Sequence, residues 1–240
     1  MSSAQARSAS DTAFAEDRAV LLSAALPHAA FDGWPSAFER AVAEYAVDAG
    51  RAELAFPKGT SDLVDYFWRV MDAALAERLK VCLHDEMGVS ERIRVALREY
   101  LALLAPHREA VRRAMAYQAL PQNAAGAARA LYGTVDTIWR GVGDKSTDFN
   151  FYTKRMTLAA VLVAVLTHWL GQQPSGEDRA DAAAIDRFID RRLADVMRIE
   201  KAKVRARGLT ARLPDPFRLI GQFGGRGRGG FARPRQGRFS

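Results

Sequence analysis

Apolar residues recur every three or four positions through most of this chain, with charged residues between them, and no stretch alternates as a half-buried strand does. The pattern predicts an all-α protein of about nine or ten helices with short connections. Ala13 to Leu26 reads as a first helix ended by Pro27, and Pro35 starts a second that stops at Gly50. After a break at Pro57 and Gly59, Thr60 or Ser61 caps a helix from Asp62 to about Leu83. Its apolar positions Leu63, Val64, Phe67, Val70, Met71, Ala74, Leu75 and Leu79 follow the helical period. Ser90 opens the next helix, which breaks at Pro106, and Pro106 starts another that ends before Pro121. Asn123 caps an Ala-rich helix to Trp139, Met156 to Leu170 is strongly apolar, and a last long helix covers about Arg179 to Arg207.

Between the last three helices lies the densest stretch of chemistry, Asp136 to Arg155. A helix is expected to stop at Gly141, with Gly141 and Gly143 free to take the positive φ that ends helices. Ser146, Thr147 and Asp148 then offer N-caps for a helix from Phe149. Trp139, Phe149, Phe151 and Tyr152 would cluster at this corner. Aromatic residues beside an interhelical turn are usually core, yet Phe151 diverges from the face shared by Phe149 and Tyr152, so some aromatic surface is expected to be exposed.

The net charge of +7 changes the picture only when it is located along the chain. From Lys201 to Ser240 there are 11 of the 35 Lys and Arg and one of the 28 acids, a balance of +10 that leaves the first 200 residues at −3. The folded body is mildly acidic, and the basic character belongs to the tail. Residues 1–10 are expected to be flexible, 11–207 to form one helical body, and 208–240 to be a disordered Pro/Gly/Arg-rich tail. That tail suits attachment to nucleic acid or to an anionic membrane, or it serves only solubility. Leu213, Phe217, Leu219, Ile220 and Phe223 could dip into a lipid interface, although Pro214 and Pro216 break any single helix there.

The single cysteine, Cys82, excludes an intramolecular disulfide framework and fits a reducing compartment. The N-terminus shows no signal-peptide pattern, and the longest apolar run is short of the roughly 18 to 20 residues of a membrane span, so a cytoplasmic protein is expected. His28, His84, His107 and His168 are scattered, so no helical metal pair exists, and no Glu-x-x-His pair or phosphate-binding loop is present. The expectation is therefore a binding protein and not an enzyme, with no catalytic residue, no metal and no resident cofactor. Two readings of the residues stand side by side: a regulator with a DNA-binding helix-turn-helix from Pro35 to about Phe67, in the manner of the TetR layout, and a helical pocket for an apolar ligand. Little net positive charge in the first region weighs against phosphate contact.

Four segments narrow the choice. FDGW (31–34), FPKGTSDLVDYF (56–67), APHREAVRRAMAYQALPQN (105–123) and above all GDKSTDFNFYTKRMTLA (143–159) resemble, in order, the Coq-nine family of ubiquinone-biosynthesis proteins. The resemblance covers about Ala13 to Lys203. It implies a TetR-like homodimer that is not a repressor, binds isoprenoid or quinone-type lipid in an apolar pocket, and presents it to the di-iron demethoxyubiquinone hydroxylase at the membrane. Nucleic acid would then not be a partner of the folded domain. By the same resemblance the docking surface falls on Phe151 and Tyr152, with Ile138 and Asp148 nearby. Phe151 stands where the family usually has tryptophan. Leu158, Val161, Leu162 and Val165 are expected to line the lipid cavity, and the protein to associate peripherally with the inner face of the membrane. A C-terminal amphipathic helix usual in the family is replaced here by the proline-broken, Arg/Gly-rich tail.

Overall fold

A computed structural model describes residues 3–44, 49–143, 149–172 and 178–210. Among them are nine α-helices: α1 (Ser3–Asp32), α2 (Trp34–Glu44), α3 (Ala49–Ala55), α4 (Thr60–Cys82), α5 (Val89–Leu104), α6 (Arg108–Gln118), α7 (Ala124–Val142), α8 (Phe149–Gly171) and α9 (Asp178–Thr210). Two 3-10 turns, Ala105–His107 and Pro121–Asn123, each carry a proline near their start and lead into α6 and α7. The described residues contain no strand, as the periodicity requires. The chain divides into two compact units, Met1–Ala194 and Asp195–Ser240. Within the second, Arg198 pairs with Asp195 at 2.7 Å.

The helix ends show where local rules yield to packing. Pro27 does not stop α1, which runs on to Asp32. Pro27 and Ser23 both lie on its exposed side, so the carbonyl left without a donor faces water, while Leu21, Leu22, Ala25 and Ala29 are buried on the other side. That burial offsets the roughly 3 kcal/mol a proline costs inside a helix. Gly50 likewise does not end α2; it lies in the first turn of α3, where its N–H needs no intrahelical partner. Neither Thr60 nor Ser61 caps α4. Gly59, at φ +55, occupies the cap position, Asp62 accepts from the Lys58 N–H at 2.8 Å, and the Ser61 hydroxyl pairs with the Tyr117 hydroxyl at 2.9 Å. Asn123 precedes α7 but donates its amide to the Tyr117 carbonyl at 2.8 Å, tying the turn to α6 instead of capping α7.

The stop at Gly141 is also displaced by two residues. Gly143 takes the left-handed conformation at φ +86 and closes α7, with its N–H on the Arg140 carbonyl at 3.0 Å. Gly141 serves close packing. A Cβ there would lie 2.5 Å from Leu79 Cδ1 on α4, and one at Gly133 would lie 3.3 Å from Asp72 Oδ2. Gly126 repeats this against Asp65 Oδ1 at 3.3 Å. Three glycines of α7 thus meet three positions seven apart on α4, and the two helices run alongside each other with little between them. Their shared face, with Phe67, Leu75, Val135 and Ile138, forms the middle of the core.

Candidate functional site

Three of the four recognised segments have structural work that their residues explain. In FDGW, Trp34 is buried, donates its Nε1–H to the Ala110 carbonyl at 3.0 Å and lies 5.2 Å from the Phe67 ring, so it joins α2, α4 and α6. In APHREAVRRAM, Arg108 donates to the Trp169 and Gln172 carbonyls and lies 5.0 Å above the Trp169 ring. Arg112 donates to the Leu170 carbonyl at 2.6 Å. Two cations thereby hold the C-terminal carbonyls of α8, where a helix dipole favours positive charge. In the last segment, Arg155 on α8 is only 5% exposed and donates from Nε and Nη2 to Asp136 Oδ1 on α7 at 3.1 and 2.8 Å. Arg140 joins the same carboxylate at 2.7 Å. This ion pair fixes α7 against α8 on either side of the corner.

The aromatic residues of the corner do not form one buried cluster. Trp139 is buried with Lys154 lying 5.6 Å over its ring, whereas Tyr152 is 67% exposed and Met156, one turn later, is 73% exposed. The side chain of Phe151 and all of Asp148 lie outside the described residues, as do Leu213, Phe217, Leu219, Ile220 and Phe223. Ile138 is fully buried. It belongs to the core beneath the corner and presents no surface of its own, because α7 turns it toward α4. Of the expected docking residues with described side chains, Tyr152 is exposed and Ile138 is not.

A cavity of about 220 Å³ opens between α4, α5, α6, α7 and α8. Ala127, Ala130 and Leu131 of α7 and Leu162, Val163 and Leu166 of α8 make an apolar wall, opposed by Trp68, Met115 and Ala119. Of the four residues expected to line a lipid cavity, Leu162 does so; Leu158, Val161 and Val165 are buried but do not lie on the wall of this cavity. The small side chains of Ala127 and Ala130 leave the space, a signal that α8 alone does not carry.

Three polar groups interrupt the apolar lining. Tyr100 and Thr134 lie on the wall with their hydroxyls 3.3 Å apart, and Thr134 donates to Asp72 Oδ1 behind them at 2.7 Å. Gln118 accepts from Trp68 Nε1 at 3.0 Å. Burial drives the Asp72 carboxyl up to about 6 against the opposing hydrogen bonds from Thr134 and Tyr100. Burial, reinforced by the Asp72 charge, also pushes Tyr100 well above its ordinary value.

The folded state therefore holds a proton on Asp72 more tightly than the unfolded chain does. This proton's contribution to stability is complete below the unfolded value of 3.8 and is lost as pH rises through about 6. Asp72→Asn is expected to raise stability at pH 7.5 by on the order of 2 kcal/mol and to flatten the fall between about pH 4 and pH 6. Urea titrations of both proteins across that range read it, and parallel pH profiles would refute the assignment.

Among the described residues no group of three or more His, Cys, Asp or Glu side chains is placed to hold a metal ion, and no helix is long and apolar enough to cross a membrane. The helix-turn-helix region offers little to phosphate. On α3, Arg51 is held by Asp17 through bonds of 2.9 to 3.1 Å, and Glu53 and Leu54 face solvent.

Comparison with known proteins covers the last of the four segments, 143–159. A family model described as COQ9 matches residues 124–200, from the start of α7 into α9. The mitochondrial ubiquinone biosynthesis protein COQ9 of Rattus norvegicus is 38% identical over 84 residues, which is 35% of this chain and 25% of that protein. Its Homo sapiens counterpart is 37% identical over 84 residues, with the same coverage of 35% and 25%. The match thus spans a quarter of the length of these relatives. The COQ9 protein of Drosophila melanogaster is 28% identical over 203 residues, 80% of this chain and 59% of its own length. Among solved structures, a TetR transcriptional regulator from Nitrosomonas europaea ATCC 19718 superposes with a TM-score of 0.59 at 17% identity, covering 75% of this chain and 97% of that one. The helical arrangement is thus the TetR-like fold.

Proposed function

Since the chain belongs to the COQ9 family, we propose that it serves ubiquinone biosynthesis as a noncatalytic protein that binds an isoprenoid or quinone precursor and presents it to the di-iron demethoxyubiquinone hydroxylase. The observation that carries the lipid half of this reading is the apolar cavity walled by α7 and α8, the helices within the family match. Its lining suits hydrocarbon and ring carbons, and burying each methylene there contributes about 0.8 kcal/mol. A cavity of about 220 Å³ encloses only part of such a lipid, since about 150 Å³ already holds one benzene. The rest of the tail would remain in the bilayer or lie along the protein surface, which favours presentation over full extraction.

The exposed pair Tyr152 and Met156 supports a docking surface on the first turns of α8. Alanine at Tyr152 is expected to weaken hydroxylase binding by roughly 30-fold or more, as loss of an aromatic anchor does, while stability changes by less than about 0.5 kcal/mol. Binding to immobilised hydroxylase and a thermal melt measure the two effects. A large fall in melting temperature, or unchanged hydroxylase binding, would remove Tyr152 from the docking surface.

In this reading the protein is a homodimer, and residues 208–240 bring it to anionic membrane through Leu213 to Phe223 and the neighbouring arginines. Truncation at Gly208 is expected to abolish salt-sensitive cosedimentation with anionic vesicles. Equal sedimentation of the truncated chain would contradict this. DNA binding gains no support from the shared fold, because Arg51 on α3 is committed to Asp17 and Glu53 on the same helix faces solvent.

A further inference from the structure

The ion pairs between α5 and α9 keep a register. Arg94 donates to Asp190 at 2.5 Å and, one turn on, Arg98 donates to Asp186, so the two helices run antiparallel with turn facing turn. The next turn in that register brings Ala102 opposite Ala182. Long charged side chains bridge the helices at the first two turns, and two methyl groups cannot. The space between the helices opens there into a crevice of about 660 Å³, with Trp169 of α8 on its wall. Leu101, Trp169 and Ile185 lie buried along it, whereas Ala102, Ala105 and Ala182 line it and are exposed. It shares no lining residue with the cavity at α7 and α8.

Charge and shape select the occupant. Arg98 and Arg108 on the wall are balanced by Asp181 and Asp186. Both cations are engaged, Arg98 with Asp186 and Arg108 with the carbonyls of Trp169 and Gln172. An anion would meet two carboxylates and a cation two guanidiniums, so a neutral body is favoured. From Arg98 to Ala105 the wall runs about 10 Å along the chain of α5. The volume is about four times the roughly 150 Å³ that holds one benzene, and an isoprene unit has one carbon fewer than benzene. An elongated hydrocarbon of about four such units matches both length and volume.

Resting on the lipid-binding reading above, we propose that the crevice between α5 and α9 is a second apolar site, which holds a stretch of isoprenoid chain that the cavity at α7 and α8 is too small to enclose. Leu101, Trp169 and Ile185 supply the apolar contact. Ala102 and Ala182 set the width, since a larger side chain at either position would fill the space the chain needs.

Geranylgeraniol, a chain of four isoprene units without a ring, and its diazirine analogue test this on the full chain. Photolysis of the bound analogue and peptide mapping are expected to place label on residues 98–105 and 181–186. Ala102→Trp fills the crevice from an exposed position. It is expected to weaken geranylgeraniol binding roughly tenfold or more and to leave the melting temperature within about 2 °C. Ala102→Ser keeps the crevice open and is expected to bind within about twofold of the wild type. Label confined to residues 124–142 and 158–166, which also follows if another protein segment fills the crevice, would overturn the site and leave lipid binding standing. Undiminished binding by Ala102→Trp would do the same, as would uptake of a prenylated quinone without uptake of geranylgeraniol. Failure of the chain to bind either lipid would overturn both.

Discussion

Replacing Trp34 with alanine is expected to remove about 3–5 kcal/mol of folding stability, a large share of the roughly 5–15 kcal/mol available to a domain. The indole is 1% exposed and ties α2, which carries it, to α4 and α6. Its Nε1–H satisfies the Ala110 carbonyl on α6 at 3.0 Å, and its ring lies 5.2 Å from Phe67 on α4. Phe67 in turn stands 5.1 Å from Trp68, whose own Nε1 holds Gln118 at the cavity. Alanine would leave a cavity where the indole packs between α4 and α6. Trp34→Phe keeps most of the packing and loses the donor, so a smaller loss of about 1–2 kcal/mol is expected. Urea unfolding of the two variants gives the comparison. Equal losses would place the whole effect in the hydrogen bond, and a loss below about 1 kcal/mol for alanine would contradict the packing described.

Asp136→Ala is expected to cost about 3–5 kcal/mol, since it takes from the buried Arg155 guanidinium the carboxylate that accepts two of its hydrogen bonds. Side-chain exposure is 6% for Arg155 and 14% for Asp136, so water cannot take over the role of the carboxylate. Arg140, at 79%, loses little because it is largely solvated. The double variant Asp136→Leu with Arg155→Met removes both charges together and is expected to recover most of the loss. If the double variant is no more stable than the single one, the ion pair is not what fastens α7 to α8.

The helices themselves were legible from periodicity, and α4, α5 and α7 start and stop within a few residues of where their apolar stripes do. What periodicity could not show was the depth of packing. Gly141 carries the same local signal as Gly143, and only contact with Leu79 on α4 makes one an interior helix residue and the other its end. The spacing of Gly126, Gly133 and Gly141 was visible, and glycines seven or eight apart on one helix are a sign of a close neighbour. Pro27 misled for a different reason: its cost depends on whether the freed carbonyl meets water, which the sequence does not state.

The site was legible in part. The resemblance led to α7 and α8, and the exposure of Tyr152 agrees with a surface role, whereas Ile138 belongs to the core. Within α8 the apolar residues continue almost all round the helix, so its sequence does not tell cavity wall from core. The choice of Leu162, Val163 and Leu166 is made by Ala127 and Ala130 across from them. Gln118 and Tyr100 gave no signal, since a lone glutamine at the end of one helix and a lone tyrosine within another are ordinary. Their meaning comes from Trp68 and Thr134, at least thirty residues away in sequence.

Native mass spectrometry of the full chain purified from an ubiquinone-producing host, with extraction and identification of whatever lipid accompanies it, tests the presentation of a quinone precursor most directly. Lipid presentation predicts a polyprenyl quinone or a close precursor bound to the protein at a defined ratio. A chain that carries no lipid, and takes up none when offered a prenylated quinone in detergent, would contradict it.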